Sequence, residues 1–349
     1  MVVVTAYHLF IFRIRRQTVS QAEARDFPGV SMVIAVKNGS KALLKHLDRL
    51  CKQDYPAFEM ILVNDHSDPE ERTILENGVK GNGRIRLIHS EKAPGKKQAL
   101  SLGVQEAKHD LILCTDADCY PAGPRWMQQM AAKTNGKEMV LGYSPYLKAT
   151  GFLNRIIRFE TIMTGVQYLS WALVGKPYMG VGRNILYPRS LFLQEDPYNN
   201  QQHIPYGDDD LWVQKAAEKT SVKVCFEKEA HVYSTPATSW VAWLHQKHRH
   251  LSAGHHYQKT SWWQSSEYPI ALIFHWGLFF PLIILAGNLW IGISFLIGLL
   301  LRWWTHLKWT KRLGDQDTNL WFPILEMVYA LYFVIMGAFT LVVKRKRWN

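Results

Sequence analysis

An alternation of buried strands and amphipathic helices constrains the fold of this chain more than any other feature. The first apolar run, Val30 to Val36, is followed by leucines at helical spacing from Lys41 to Gln53. The same order then recurs along the chain. The further predicted strands cover 58–63, 85–88 and the run from Leu111 to Asp116, and the further predicted helices cover 70–77 and 96–107. This order predicts an α/β domain around a parallel sheet, with ligands at the carboxyl ends of the strands.

Carboxylates follow two of the predicted strands. Asp65 comes after the second strand, and the strand that begins at Leu111 ends in Asp116 and Asp118. In a continuing strand, these two alternate residues would point to one face and into one pocket. Paired carboxylate oxygens suit Mg²⁺ or Mn²⁺. A turn also explains Asp116 and Asp118, and a helix cap explains Asp65, so both interpretations stay open on these residues alone.

Three further polar segments each have a structural and a chemical interpretation. Gly95-Lys96-Lys97-Gln98 precedes a helix and is either a solvated basic turn or a receptor for phosphate. Asp208-Asp209-Asp210 begins another helix, where carboxylates complement the helix macrodipole. Three adjacent carboxylates also raise the proton affinity of at least one of them, as a general base near neutral pH requires. The helix from Ser239 to His250 carries five possible cations, which suit either lipid headgroups or an arginine aimed at a pyrophosphate.

The net charge limits the expected partners. The chain has 41 Lys and Arg against 29 Asp and Glu, a formal charge of +12, which indicates either nucleic acid or an anionic membrane surface. The 14 Trp and 15 Tyr concentrate near apolar runs in the C-terminal half, which favours the membrane interface. No nucleic-acid-binding motif is present in the sequence, so nucleic acid is not an expected partner. The 4 cysteines lack metal-ligand spacing, which is typical of a reducing compartment.

Apolar runs at both ends predict contact with a membrane. The first, Val2 to Phe12, is long enough for about 16 Å of helix and is an interfacial anchor or part of a longer span. Arginines behind it place the next domain on the cytoplasmic side. The apolar runs within 268–343 favour three membrane-spanning helices. A re-entrant or in-plane hairpin over 269–301 is the alternative, because it keeps the basic C-terminal tail on the cytoplasmic side. The expected units are an anchor (1–16), a catalytic-type domain (29–260), a transmembrane region of about three helices (268–343) and a basic tail (344–349).

Taken together, these segments resemble the family 2 glycosyltransferases of the GT-A fold. The resemblance is to the membrane-anchored branch that includes hyaluronan, chitin and cellulose synthases and ceramide glucosyltransferase, and it covers residues 31 to about 250. It implies a Rossmann-like α/β domain with C-terminal transmembrane helices. The five motifs in order are Ala35-Val36-Lys37-Asn38 with Asp65, Gly95-Lys96-Lys97-Gln98-Ala99-Leu100, Asp116 with Asp118, Gly207-Asp208-Asp209, and Gln246-Lys247-His248-Arg249-His250.

The resemblance also implies a role for each matching residue. Asp116 and Asp118 would bind Mg²⁺ or Mn²⁺ and the diphosphate. Asp209 would be the catalytic base, with Asp208 as the alternative. Gln246 and Arg249 belong to the motif at the leaving diphosphate. The residues that would contact the nucleotide are Ala35, Lys37, Asn38, Asp65, Lys96 and Asp116.

The expected activity is inverting transfer from a nucleotide-diphosphate sugar, UDP-linked, to a lipid or lipid-linked acceptor at the membrane. His250 stands where the polymerising synthases have a Trp against the acceptor sugar, which favours transfer of one sugar. The alternatives are a processive polysaccharide synthase and a catalytically silent nucleotide-sugar-binding membrane subunit. Asp116, Asp118, Asp209 and Arg249 argue against a silent subunit. The expected location is the inner or cell membrane, if bacterial, as an integral protein with its catalytic domain facing the cytoplasm.

Overall fold

A seven-stranded sheet forms the centre of the computed structural model, which describes residues 2–11, 27–91, 93–198 and 207–342. Its strands are β1 (Val30–Val36), β2 (Phe58–Asn64), β3 (Ile85–His89), β4 (Leu111–Cys114), β6 (Met139–Gly142), β7 (Ile185–Pro188) and β8 (Val222–Cys225), in the order β3-β2-β1-β4-β7-β6-β8. A small antiparallel sheet pairs β5 (Tyr120–Pro121) with β9 (Val232–Tyr233). The segment 12–26 and the basic tail 344–349 lie outside the described residues.

The direction of the chain across the sheet places a crevice beside β1. Strand β1 is parallel to β2 on one side and to β4 on the other, with Val33 next to both Ile61 and Cys114. Because successive strands diverge from this point, the carboxyl ends of β1 and β4 border a crevice of the kind where α/β sheets bind ligands. The run Val30–Val36 is almost fully buried, as expected for a parallel strand covered on both faces.

The sheet is mixed rather than all parallel. Strand β7 runs antiparallel to both β4 and β6, because the chain returns to the edge where β4 ends before β7 begins, so that Ile185 pairs with Cys114. The predicted helices near 41–53, 70–77 and 96–107 agree with α2, α3 and α4 to within two residues at each end. Helices α2 (Ser40–Cys51), α3 (Pro69–Val79), α4 (Lys96–Gln105), α5 (Trp126–Ala131), α6 (Phe152–Leu173), α7 (Arg189–Glu195) and α8 (Asp208–Ala217) accompany the strands.

Four further helices follow the sheet and share its core. They are α9 (Trp240–Ser252), α10 (Lys259–Ala286), α11 (Leu289–Leu313) and α12 (Phe322–Val342), while α1 (Val2–Ala6) continues as a π-helix over Tyr7–Ile11. Phe159 of α6 stacks edge-on against Tyr329 of α12 at 5.9 Å, and Phe226 after β8 lies 6.5 Å from Trp309 of α11. The C-terminal helices are therefore packed on the α/β domain and not separated from it by a linker.

An ion-pair cluster fixes the turn between α11 and α12 to the α/β domain. The Nε atom of Arg158, on α6, lies 2.7 Å from Asp315, and its Nη1 lies 3.1 Å from Asp317. Lys148 adds a second cation to Asp317 at 3.1 Å. The start of α12 is thus held close to the sheet.

The C-terminal helices also present apolar surface. The ranges Leu289–Leu313 and Gln316–Ala338 are, by length and composition alone, apolar enough to cross a membrane. Leu285 and Leu289, at the turn between α10 and α11, are 84% and 75% exposed. Exposed leucines on this scale are typical of a membrane or protein contact. Within the bundle, Arg302 is fully buried and pairs with Glu326 at 2.8 Å.

Candidate active site

One cavity at the carboxyl edge of the sheet brings together residues that are far apart in the sequence. Asp116 follows β4, Lys96 begins α4, and Asp208 and Asp209 begin α8. All four line the same cavity. Its remaining walls are Leu100, Cys114, Thr115, Gly182, Ile185, Tyr187, Tyr198 and Trp212.

The Asp-x-Asp segment is a turn and not a continuing strand. Strand β4 ends at Cys114, and the backbone N–H of Cys119 donates to the carbonyl of Asp116 at 3.1 Å. The expectation that Asp116 and Asp118 share a face by strand alternation is therefore wrong. The turn nonetheless gathers ligand atoms of Asp116, Asp118 and Cys119 within 4.8 Å of one another.

The donor chemistry of this turn fits a hard divalent cation held by the two carboxylates. Burial raises the pKa of the Cys119 thiol well above its ordinary value, so sulfur stays protonated near neutral pH and is a poor ligand. Asp116 is partly exposed and Asp118 is exposed, which leaves room for water and substrate oxygens. Mg²⁺ and Mn²⁺ prefer such carboxylate sites.

Lys96 forms an ion pair across the cavity. Its Nζ lies 2.8 Å from Oδ1 of Asp116, and both side chains are 31% exposed. Burial acts to raise the pKa of Asp116, but Lys96, followed by Arg183 and His250, holds it below its ordinary value. Burial acts against the charge of Lys96, and the carboxylates of Asp116, Asp208 and Asp209 outweigh it and raise the pKa of the amine.

Asp65 positions the loop that precedes Lys96. The backbone N–H of Gly95 lies 3.0 Å from both carboxylate oxygens of Asp65, whose side chain is 1% exposed. Asp65 also contacts Nδ1 of His66 at 3.2 Å. It therefore lies beside the cavity without lining it, and it holds the start of α4 in place.

The end of β1 lies at the same edge of the sheet. Ala35 is in β1, and Lys37 and Asn38 follow it. The amide of Asn38 donates to Asp68 at 3.0 Å and accepts from the backbone N–H of Asp68 at 2.8 Å. These residues border the crevice but do not line the cavity that contains Asp116.

Asp209 is held by a backbone hydrogen bond from another segment. Helix α8 begins after Gly207, whose φ of 82° suits glycine, and the N–H of Gly182 donates to Oδ2 of Asp209 at 2.7 Å. Burial, and then the charge of Asp208, raises the pKa of Asp209 to about 6, while Lys96 and the Gly182 N–H act in the opposite direction. A carboxyl with this pKa can accept a proton near neutral pH.

Asp210 has a different environment from its two neighbours. It is buried, and the hydroxyl of Tyr257 donates to its Oδ2. Burial, together with the charge of Asp209, raises the pKa of Asp210 well above its ordinary value. Asp210 therefore links α8 to the segment before α10 and does not line the cavity.

Helix α9 divides its polar residues between the core and the cleft. Lys247 pairs with Glu160 inside the protein, so it is not available to lipid headgroups. Gln246 donates to the hydroxyl of Tyr146 at 3.0 Å. Arg249 and His250 are exposed at the end of the helix, and His250 is among the groups that lower the pKa of Asp116. The C-terminal end of α9 therefore approaches the Asp-x-Asp turn.

Several residues of the site were not singled out by the sequence. Gly182 anchors Asp209, Arg183 lies near Asp116, and Tyr198 forms a wall of the cavity. The available signal was the segment Gly180-Val181-Gly182-Arg183, a small-residue loop with one cation immediately before an apolar strand. The aromatic walls gave no signal, because an isolated Tyr or Trp is typical of any core.

Known proteins resemble the chain over this same region. The sequence profile of the family described as Glycosyl transferase family 2 matches residues 31–190, from β1 to the start of α7. Glycosyltransferase GlyG of Streptococcus pneumoniae is 32% identical over 26% of this chain and 30% of its own length. The poly-beta-1,6-N-acetyl-D-glucosamine synthase of Staphylococcus epidermidis is 28% identical over 34% of this chain and 29% of its own length. The chain thus spans less than a third of these relatives.

A solved structure shows the same fold over nearly the whole chain. The mannosyltransferase PcManGT from Pyrobaculum calidifontis, a complex with GDP-Man and Mn²⁺, superimposes with a TM-score of 0.57 at 14% identity, over 95% of this chain and 98% of that one. The matched profile, the named relatives and the mixed sheet agree with the motifs that converge on the cavity. Residues 31–190 therefore form a family 2 glycosyltransferase domain, and the chain shares the fold of the mannosyltransferase PcManGT.

Proposed function

We propose that this chain transfers a sugar, with inversion, from a UDP-linked donor to a lipid or lipid-linked acceptor presented at a membrane. The observation that carries the proposal is the Asp209 carboxyl. It has a pKa of about 6 and lies in the same cavity as the Lys96–Asp116 pair. Transfer of a sugar by direct displacement requires a base for the acceptor hydroxyl and a cation that stabilises the leaving diphosphate.

The chemistry follows from these residues. Asp209 accepts the proton of an acceptor hydroxyl while that oxygen attacks the anomeric carbon. The bond from the anomeric carbon to the diphosphate oxygen breaks, and its electron pair stays on the diphosphate. Lys96 and Arg249 stabilise the charge that develops there. One displacement inverts the centre, so an α-linked donor gives a β-linked product. Asp208 is the alternative base.

Asp116 and Asp118 are the proposed metal ligands. Mg²⁺ or Mn²⁺ bound there supplies a Lewis acid that neutralises the diphosphate. The exposed carboxylate pair supports this role, and so does the presence of Mn²⁺ with GDP-Man in the mannosyltransferase of the same fold. The nucleotide is proposed to lie along the end of β1, against Ala35, Lys37, Asn38 and the loop that Asp65 positions.

The membrane supplies the proposed acceptor. Helices α11 and α12 have the composition of membrane-crossing segments, and the apolar turn between α10 and α11 is exposed. We propose an integral protein with three C-terminal spans and a cytoplasmic catalytic domain. The packing of α12 on α6 supports this proposal, because a bilayer crossed by α12 would lie next to the domain that carries the cavity.

A processive synthase is the second candidate. It is favoured by the alignment with the poly-beta-1,6-N-acetyl-D-glucosamine synthase of Staphylococcus epidermidis. His250 in place of the motif's Trp favours transfer of a single sugar instead.

A panel of nucleotide sugars assayed with the full chain in its membrane tests the proposal. We expect one UDP-sugar to give nucleoside diphosphate and a product with one added sugar per acceptor. A ladder of long products would assign the chain to the processive synthases. Binding of a donor without hydrolysis or transfer, under any acceptor condition, would indicate the silent subunit.

A further inference from the structure

Arg183 is a partly buried guanidinium beside the cavity that none of the sequence motifs includes. It lies in the 3₁₀ turn Gly182–Asn184, next to the glycine whose N–H holds Asp209. Its Nη2 donates to the carbonyl of Ser144 at 3.0 Å. Its Nε is buried and has no hydrogen-bond partner among the described residues. The side chain is therefore fixed at one end, with part of its hydrogen-bonding capacity unused.

Arg183 differs in its partners from two buried arginines, which both form ion pairs. Arg158 pairs with Asp315 and Asp317, and Arg302 pairs with Glu326. Within the part of the chain that the structure describes, Arg183 has no carboxylate at ion-pair distance, and its hydrogen bond goes to a neutral carbonyl. A partly buried cation without a counter-ion is unfavourable unless a ligand supplies the negative charge.

The surroundings of Arg183 place it near the proposed metal ligands. Burial acts against its charge, but neighbours that include Tyr146, Cys119 and Asp116 keep the pKa of the guanidinium above its ordinary value. Arg183 directly follows Gly182, which lines the same cavity as Asp116, so the guanidinium lies beside the cavity proposed to hold the substrate.

The ring of Tyr146 connects Arg183 to α9. Its guanidinium carbon lies 5.3 Å from the centre of the Tyr146 ring, and the hydroxyl of Tyr146 accepts a hydrogen bond from Gln246 at 3.0 Å. A guanidinium held over an aromatic ring keeps its outer N–H groups directed to one side, which suits recognition of a phosphate. The Gln246 of α9 therefore acts on Arg183 through Tyr146.

We propose that Arg183 binds a phosphate group of the substrate in the cleft, as a second guanidinium besides Arg249. The inference rests on the proposed nucleotide-sugar transfer. Phosphate can come from the diphosphate of the donor or from a lipid-linked acceptor; its position near Asp116 favours the donor. A charge-assisted hydrogen bond of this kind predicts a loss of about 10- to 100-fold in affinity when the guanidinium is removed.

The experiment measures binding with the full chain in detergent. UDP and GDP are titrated with Mn²⁺ into the wild type, Arg183→Met and Arg183→Gln, and a long-chain alkyl phosphate is then tested as a competitor of transfer. Arg189→Met is the matched control, because Arg189 directly follows β7 and its guanidinium donates to the carbonyls of Val104 and Gln105. Thermal unfolding of each variant separates binding from folding, and Arg183→Gln retains a donor for the Ser144 carbonyl if Arg183→Met does not fold.

The outcomes separate the two sources of phosphate. A 10- to 100-fold loss of nucleoside diphosphate affinity in both Arg183 variants, but not in Arg189→Met, supports the donor. Unchanged nucleotide affinity with loss of competition by the alkyl phosphate supports the acceptor. If neither changes beyond the Arg189→Met control, the role of Arg183 is overturned while the proposed function stands. If the wild type binds neither nucleotide nor alkyl phosphate, the proposed function and this inference both fail.

Discussion

At the scale of single residues, the proton affinity of Asp209 is set by its neighbours. Burial and the adjacent charge of Asp208 raise its pKa to about 6. The base must be ionised to accept a proton, so kcat/KM of the wild type is expected to fall as the pH drops through about 6.

Asp208→Asn separates the two candidate bases. Removal of the Asp208 charge lowers the pKa of Asp209, so the acidic limb of the kcat/KM profile should move to lower pH, while the plateau stays within about 10-fold of the wild type. The measurement is the pH dependence of kcat/KM between pH 4.5 and 8, roughly the range in which such a limb is visible. Complete loss of activity, with nucleotide binding intact, would assign the base to Asp208 instead.

The proposed metal site makes a separate prediction at this scale. A chelator should stop turnover, and Mn²⁺ or Mg²⁺ should restore it, because Asp116 and Asp118 are proposed to hold the cation that neutralises the leaving diphosphate. Asp118→Asn should raise the metal concentration needed for half-maximal rate. Full activity in excess chelator would contradict the site. Asp54→Asn, on another loop, serves as the control for loss of one carboxylate.

The sequence was informative for residues that lie in short motifs. It was uninformative for residues whose surroundings come from distant segments of the chain. Asp116 and Asp209 could be proposed as site residues because each lies in a short motif at the end or start of an element, and both line one cavity. Arg183 has no motif of its own, and its proximity to Asp116 depends on how β7 enters the sheet. Lys247 looked like a solvated cation, and only its distant partner Glu160 shows that it is buried.

At the scale of elements, the turn before β7 positions Asp209, the proposed catalytic base. A Cβ atom on Gly182 would lie 3.1 Å from Oδ2 of Asp209 and 3.2 Å from its Cβ. Such a contact is too close to be tolerated without movement of the carboxylate.

Gly182→Ala should therefore reduce kcat by at most about 100-fold, since a displacement of about 1 Å costs that much and the carboxylate has to move by less. Gly123→Ala is the matched control, because a Cβ atom there meets nothing within 4 Å. Turnover and thermal unfolding are measured for both variants. Equal activity of the two proteins would show that Asp209 does not depend on the Gly182 contact.

Element bounds were predictable where burial leaves a continuous pattern. β1 and β2 are buried on both faces, so their apolar runs mark their ends. The antiparallel direction of β7 was not predictable, since it depends on the path of the chain after α6. The sequence left a strand and a turn open for Asp116 and Asp118, because both place the two carboxylates close together.

At the scale of the whole molecule, the C-terminal helices and the α/β domain form one packed body. Arg158 is 1% exposed and pairs with Asp315, which is 15% exposed, and with Asp317, which is 36% exposed. An apolar run in the sequence fits either a bilayer or a core, so this contact between α6 and the turn after α11 could not be foreseen.

Arg158→Met should lower the unfolding free energy by about 2 kcal/mol, because it leaves the partly buried carboxylate of Asp315 without its cation, while the more exposed Asp317 keeps Lys148. Lys148→Met removes only an exposed cation from the same Asp317, so its cost should stay below about 1 kcal/mol. Thermal and denaturant unfolding of the detergent-solubilised chain measures both. If Lys148→Met lowers the unfolding free energy as much as Arg158→Met does, Arg158 is not the residue that joins α6 to the turn after α11.

The most direct test of the account is Asp209→Asn, measured for nucleotide binding and for transfer in the same preparation. Nucleotide affinity should remain close to that of the wild type, while single-turnover transfer should fall by roughly 100- to 10,000-fold, the usual contribution of a general base. Asp48→Asn, at an exposed position, should leave both quantities unchanged. Transfer by Asp209→Asn at the wild-type rate would contradict the account.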